Sequence, residues 1–310
     1  MIDGVLVAVG VGFAGAMVGG PALAHGVGAL PLRWRRTAEW LLIVGAAVAA
    51  LLADLLSSGP AGGVFVYVLA ALPGVVAFLA FRTLLATALV SLAPLYFVIG
   101  HLTRDWPTFV PDIALDRVVP LRPEWMLVYG SLYIFAFLMP ILVVRSPDLL
   151  RGALRAFLTV MLVSYLGFLL FPTAAPRPGQ VPGAGFAAWA LRLAYEIDPP
   201  HGCLPSLHVA YSFVSALACW RVHRGVGGAA LIWAALIGLS TLYTKQHYIL
   251  DVLAGALLAY AAYLVFLRGY RRDALLAIDR QRAPVRALIV AGLMALMVVG
   301  SWTVYRLQSD

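Results

Sequence analysis

The chain returns again and again to uncharged apolar runs of about 20 residues, the length of α-helix that crosses a bilayer core, with arginine-bearing stretches between them. A lipid core offers no partner for a free backbone N–H or C=O, so such runs fold as helices packed on one another. Hydropathy places ten spans, near residues 4–24, 38–58, 64–81, 83–102, 124–144, 153–172, 206–222, 228–244, 247–268 and 287–305. Only Arg82 separates the third from the fourth. With 63% hydrophobic residues, 12% charged residues and a mean hydropathy of +0.93, the composition excludes a water-soluble globule. The expected fold is all-α, a polytopic membrane helix bundle.

The formal net charge is +8, but the charges lie in short loops rather than on a soluble face, so no nucleic-acid partner is expected. If the N-terminus is outside, alternation of the spans places 15 of the 22 basic residues on the inner side. The outer side keeps Arg104, Arg117, Arg122, Arg177, Arg192, Lys245 and Arg306. This positive-inside bias favours that orientation. PALAHG at 21–26 resembles a leader cleavage site, but the N-terminal MID carries an acid where a leader needs positive charge, so the first span is expected to be retained. Gly15 and Gly19 form a GxxxG that reads as helix packing. Cys203 and Cys219 are 16 residues apart. A helix between them would separate them by about 24 Å, which excludes a disulfide.

Two outer loops are long. Residues 103–123 are rich in Pro, Trp and Asp, and Asp105, Asp112 and Asp116 offset much of the charge of Arg104, Arg117 and Arg122. In 173–205, Phe186, Trp189, Ala190, Leu193 and Ile197 share one helical face, which predicts a short helix in the outer interface or a connector packed on the bundle. Trp and Tyr residues near span ends read mostly as interface anchors. His25, His101 and His223 also sit near span ends and read as structural, as does Asp54 in the second span.

The chemistry concentrates in three polar segments at one membrane face. STLYTKQHYILD at 240–251 holds the chain's only lysine, Lys245, with His247 and Asp251; on a continuous helix Ser240, His247 and Asp251 would line one face. A carboxylate four residues after a histidine can accept its ring N–H and fix its tautomer. HGCLPSLH at 201–208 opens the seventh span, where Pro205 and Ser206 are typical helix-start residues, with His208 in the first turn. FPTAAPRPG at 171–179 brings Arg177. Arg177, Lys245, Ser206 and free helix N–H groups suit a phosphate; one histidine backed by a carboxylate suits attack on phosphorus, and a second suits protonation of the leaving oxygen.

PSLH at 205–208 and STLYTKQHYILD at 240–251 resemble the second and third signature motifs of the type 2 phosphatidic acid phosphatase (PAP2) superfamily, and FPTAAPRPG resembles the first. The resemblance covers about residues 83–268 and implies the family's six-helix catalytic core. Residues 1–82 would then be accessory spans, and 269–310 a basic cytoplasmic loop and one further span. It also implies that His247 is the nucleophile forming a phosphohistidine, Asp251 orients it, His208 is the general acid, and Ser206 and Arg177 hold phosphate. Lys245 and Ser240 complete the candidate phosphate-binding set.

Two positions depart from the phosphatase pattern. Leu170 stands where the first motif usually has lysine, and Ser240–Thr241 where the third usually has Ser-Arg. The departures are closer to the branch of inositol phosphorylceramide synthases and inositolphosphotransferase-like enzymes. A phosphomonoester is close to a dianion at neutral pH and a phosphodiester a monoanion, so fewer cations suit the diester. The expected activity is phosphotransfer from a membrane lipid phosphate at the outer face, leaning to headgroup transfer to a polyol or lipid-hydroxyl acceptor, with lipid phosphate hydrolysis as the alternative. An anionic-lipid transporter with no turnover is the alternative of another class. His201, Cys203, His208 and His247 offer nitrogen and sulfur ligands, but their spacing matches no compact zinc pattern, so neither metal nor other cofactor is expected.

Overall fold

The computed structural model describes residues 84–198, 200–271 and 276–309, with Ala16, Met17 and Pro21. The three N-terminal spans, the Gly15 and Gly19 pair, His25, Asp54 and the 21–26 stretch beyond Pro21 lie outside the described residues. The chain divides into two compact units, 1–98 and 99–310. The described part of the first holds α1 (Leu84–Leu92) and the start of α2 (Leu95–Leu102). The span expected over 83–102 is present as Leu84–Leu102, interrupted into two short helices. Pro94 lacks an N–H and restricts the residue before it, which breaks the ladder at Ala93–Pro94.

The second unit is helical throughout. α3 (Ala114–Val118) and a 3-10 turn (Pro123–Trp125) lead into α4 (Met126–Gly130) and α5 (Leu132–Val143), followed by α6 (Pro147–Leu170) and α7 (Phe186–Ile197). Then come α8 (Leu207–Val222), α9 (Arg224–Tyr243), α10 (Ile249–Phe266) and α11 (Ala277–Ser309). Among the described residues there are no strands, only two isolated bridge pairs, Phe109 with Thr173 and Ala174 with His201. Six described segments are long and apolar enough to cross a membrane, and α8 is a shorter apolar helix. The protein is an all-α polytopic membrane bundle.

α8 is the hub, packed by α5, α6, α9 and α10. Its Val209, Ala210, Val214, Ala216, Ala218 and Cys219 are fully buried. α11 is the opposite case: only 6% of its apolar window is buried, so Leu288, Leu296 and Val299 are left to lipid. α7 forms where the sequence predicts it. Ala188 and Leu191 face inward, while Leu193 and Ile197 on the predicted apolar face stay exposed. Phe186 and Trp189 on that face pack against Tyr305 of α11, and Trp189 Nε1 donates to Gln308 Oε1.

Gly255 sets the distance between α10 and the start of α8, since a Cβ there would lie 2.4 Å from Ser206 O. Backbone cannot swing aside as a side-chain tip can. Gly255→Ala is therefore expected to lower stability by about 1–3 kcal/mol, read as a drop in Tm in detergent. An unchanged Tm would contradict the close approach.

Candidate active site

Four chain ends meet at one end of the bundle: the C-termini of α6 and α9 and the N-termini of α8 and α10. The exit of α6 is strapped to the segment before α8 by Thr173. Its Oγ1 accepts from Cys203 N (2.8 Å) and Leu204 N (3.1 Å), and its carbonyl accepts from Gly202 N (3.1 Å). Ala175 N donates to Pro200 O at 2.7 Å alongside. Ser206 caps α8, its Oγ accepting from Val209 N at 3.3 Å, and its own N–H donates to Asp251 O at 3.0 Å. The PSLH and HxxxD segments are thereby joined through backbone.

The α9–α10 connection corrects one expectation. α9 ends at Tyr243, Lys245 adopts a left-handed backbone with φ of 54°, and α10 starts only at Ile249, so Ser240 does not share a helix with His247 and Asp251. Ser240 is fully buried, and its Oγ donates to Ile237 O at 2.6 Å. The helical period breaks because Thr241 O captures the N–H groups of Gln246 (2.9 Å) and His247 (3.3 Å), closing a tight turn. Asp251, at the third position of α10, accepts from Tyr248 N at 2.8 Å, as a first-turn carboxylate commonly does. The same Oδ2 lies 3.4 Å from His247 Nδ1.

From that pair a line of side chains crosses the site. His247 Nε2 is 3.0 Å from His208 Nδ1, His208 Nε2 is 3.1 Å from Tyr129 Oη, and the Tyr129 hydroxyl donates to Asp198 Oδ2 at 3.3 Å. Asp198 Oδ2 in turn lies 3.5 Å from Arg177 Nη2. Arg177 also donates through Nη1 to Asp198 O (2.8 Å) and Tyr195 O (3.1 Å), and through Nε to Gln246 Oε1 (3.0 Å). The structure therefore brings His208, His247, Asp251 and Arg177 into one network, with Ser206 held to Asp251 through backbone.

Lys245 is placed differently. Its Nζ donates to Val119 O (2.6 Å) and Asp116 O (3.3 Å), pinning the 103–123 loop to the α9–α10 turn. Asp116 Oδ1 reinforces the contact by accepting from Ile249 N at 2.9 Å. A cavity of about 250 Å³ opens beside this junction, lined among others by Lys245, His247, Asp112, Asp116 and Arg117. Asp112 and Arg117 form an ion pair at 2.9 Å, so the charges there cancel as the sequence suggests.

Burial shapes the polar groups outside the spans. It pushes the Tyr195 phenol up to about 12 despite the pull of Arg177, so Tyr195 remains a neutral donor to Thr244 O (2.6 Å). His201 is held below the usual imidazole value by burial and by Arg104 and Arg177. Burial and Asp251 push the Cys203 thiol well up, and both cysteines are free and buried. Among the described residues, Cys203, His247 and Asp251 could hold a metal, their donor atoms lying within 4.8 Å of one another. Coordination requires a thiolate, whereas the His247–Asp251 pairing requires only neutral imidazole.

Reading the sequence missed Tyr129, Asp198, Gln246 and Thr173. Tyr129 looks like an interface anchor at a span end, yet it is fully buried. Asp198, in the loop sequence IDPPHG, is 8% exposed; a carboxylate in a segment already marked by Arg177 was the available signal.

Comparisons with known proteins bear on the family. The chain is 31% identical over 97 residues to a PA-phosphatase related-family protein of Dictyostelium discoideum, a match covering 28% of this chain and 18% of that relative's length. No solved structure matches. The sequence profile of the PAP2 superfamily matches residues 95–265, more than half of the chain and all three polar segments. With the second and third signature segments tied through Ser206 and Asp251 and their histidines in contact, this integral membrane protein belongs to the PAP2 superfamily.

Proposed function

We propose that the protein is a membrane phosphotransfer enzyme acting on lipid phosphates through a phosphohistidine at His247. The observation that carries this reading is the 3.0 Å contact between His208 Nδ1 and His247 Nε2, with Asp251 on the opposite nitrogen of the His247 ring. Asp251 holds the proton on Nδ1 and leaves the Nε2 lone pair for phosphorus. In the first step that lone pair forms the N–P bond, the P–O bond to the leaving group breaks, and His208 delivers its Nδ1 proton to the departing oxygen. In the second, neutral His208 takes the proton of an incoming hydroxyl, whose oxygen displaces His247 from phosphorus. Water as acceptor gives hydrolysis; an alcohol gives transfer. The phosphoryl group sits between the two rings, which must part to admit it.

The charge around the site supports a monoanionic diester. Lys245 is occupied with carbonyl groups of the 103–123 loop, and the cavity beside His247 carries Asp112 and Asp116 against Arg117 and Lys245. Arg177 and the Ser206 hydroxyl are the groups we assign to hold phosphate, Arg177 exchanging Gln246 and carbonyl partners for it, and a polyol or lipid hydroxyl is the acceptor we favour. We place the active site toward the outer leaflet, a reading supported by the distribution of basic residues.

The test is mass spectrometry of products from purified protein incubated with lipid phosphomonoesters and phosphodiesters, with and without inositol and lipid-alcohol acceptors. Headgroup-transfer products that vanish in His247→Ala support the proposal; free phosphate or headgroup alone assigns hydrolysis. A wild type silent across the panel overturns the enzyme reading in favour of a binding or transport bundle. Thr241→Arg tests the charge argument. It is expected to raise the monoester-to-diester turnover ratio by about tenfold, the scale of one charge-assisted hydrogen bond. An unchanged ratio in a folded variant contradicts it.

A further inference from the structure

Asp251 holds the nucleophilic histidine. The acid histidine has an equivalent on its other side, assembled from a helix and a loop that none of the three polar segments includes. Tyr129 sits in α4, fully buried, with its hydroxyl 3.1 Å from His208 Nε2 and 3.3 Å from Asp198 Oδ2. Asp198 is itself held by Arg177, through both its carbonyl and its carboxylate.

Counting protons along this line shows what it can do. Four contacts run from Asp251 through His247, His208 and Tyr129 to Asp198. Both terminal groups are carboxylates and can only accept, so donation must run outward toward each end. Neutral His247, neutral His208 and Tyr129 bring three protons between them. A fourth proton, on His208, would let it donate to His247 and Tyr129 at once. With that proton in place the line would read Asp251 carboxylate, imidazolium, Asp198 carboxylate, Arg177 guanidinium, an alternation of charge.

We infer that Tyr129 and Asp198 are positioning residues for His208: Tyr129 accepts the Nε2–H while donating to Asp198, whose charge favours the doubly protonated form from which the Nδ1 proton is delivered to the leaving oxygen. After that transfer Nε2–H stays bonded to Tyr129, and the freed Nδ1 lone pair faces the phosphoryl group, ready to take the acceptor's proton. The inference rests on the reading of His208 as the proton donor, and the experiment separates the failure of either.

A leaving group that departs unaided needs no acid, so the test varies the leaving group. Purified wild type, Tyr129→Phe and Asp198→Asn are compared on two pairs of esters: dodecyl phosphodiesters of glycerol and of 4-nitrophenol, and the monoesters dodecyl phosphate and 4-nitrophenyl phosphate. The first turnover is followed, so that phosphorus–oxygen cleavage is read apart from the second step. Tyr129→Phe keeps the ring and its packing, and its Tm reports folding. The expected result is a loss of about 10- to 100-fold on the alkanol esters, the usual scale for groups that orient a catalytic ligand, with first-turnover nitrophenolate release nearly unchanged. Asp198→Asn should show the same selectivity. A folded Tyr129→Phe that loses equally on both leaving groups, or on neither, overturns the inference. Wild type silent on all four esters overturns the catalytic reading of His208 and this inference with it.

Discussion

His247→Ala is expected to lower phosphoryl turnover by about 10⁶-fold, the scale on which loss of a catalytic nucleophile is felt, and to abolish acid-labile phosphate on the protein. The size of the effect follows from position. His247 lies in the turn between α9 and α10, held by its own N–H to Thr241 O, and it lines the cavity beside the 103–123 loop. Within the network His208 stands with its nearer ring nitrogen against His247 and its farther one against Tyr129, so no other imidazole is placed to substitute. The measurement is single-turnover kinetics with a phosphorus-labelled lipid, followed by trapping of labelled protein at alkaline pH. Label retained on the alanine variant would place the nucleophile elsewhere.

Asp251→Asn is the second large effect, a loss of about 10⁴-fold, as when the carboxylate behind a catalytic histidine becomes an amide. The substitution separates two jobs that the carboxylate combines. Its Oδ2 caps α10 by accepting from Tyr248 N and also faces His247 Nδ1 at 3.4 Å. An asparagine can keep its oxygen on Tyr248 N, and the Ser206 N bond to the backbone carbonyl of residue 251 is untouched. Its amide nitrogen then offers a donor toward Nδ1, which moves the ring proton to Nε2 and occupies the lone pair needed for attack. Stability should change by less than about 1 kcal/mol, measured as Tm, while kcat collapses. A variant that unfolds, or that retains activity, contradicts this division of labour.

The spans were legible because lipid imposes a simple rule on apolar length, and α5, α6 and α8 through α11 fall where hydropathy places them, within a few residues at most ends. The polar segments that the structure brings together were legible because polar groups are costly at those positions, so their presence is itself a signal. Two things were not. The first was the turn at 244–248: extending a helical period through it put Ser240 beside His247, and nothing in the composition announces a lysine in a left-handed conformation tying down a loop more than 120 residues earlier. The second was the far side of His208. Tyr129 comes from a span end where tyrosine commonly anchors the interface, and its contact with His208 bridges 79 residues of sequence that carry no shared period.

The direct contact of the two imidazoles gives the resting site a latch. On the proposed mechanism, with the His247 lone pair engaged by its neighbour, small phosphates drifting past would meet a masked nucleophile. Unmasking it requires work, and only a ligand that binds strongly elsewhere can supply that work. A lipid can, through its acyl chains against the surrounding helices, so its tails contribute to the rate as well as to residence. Shortening them should therefore depress kcat along with affinity, and inorganic phosphate should be a feeble inhibitor. On that mechanism, discrimination between membrane and soluble phosphates would be built into the histidine pair itself.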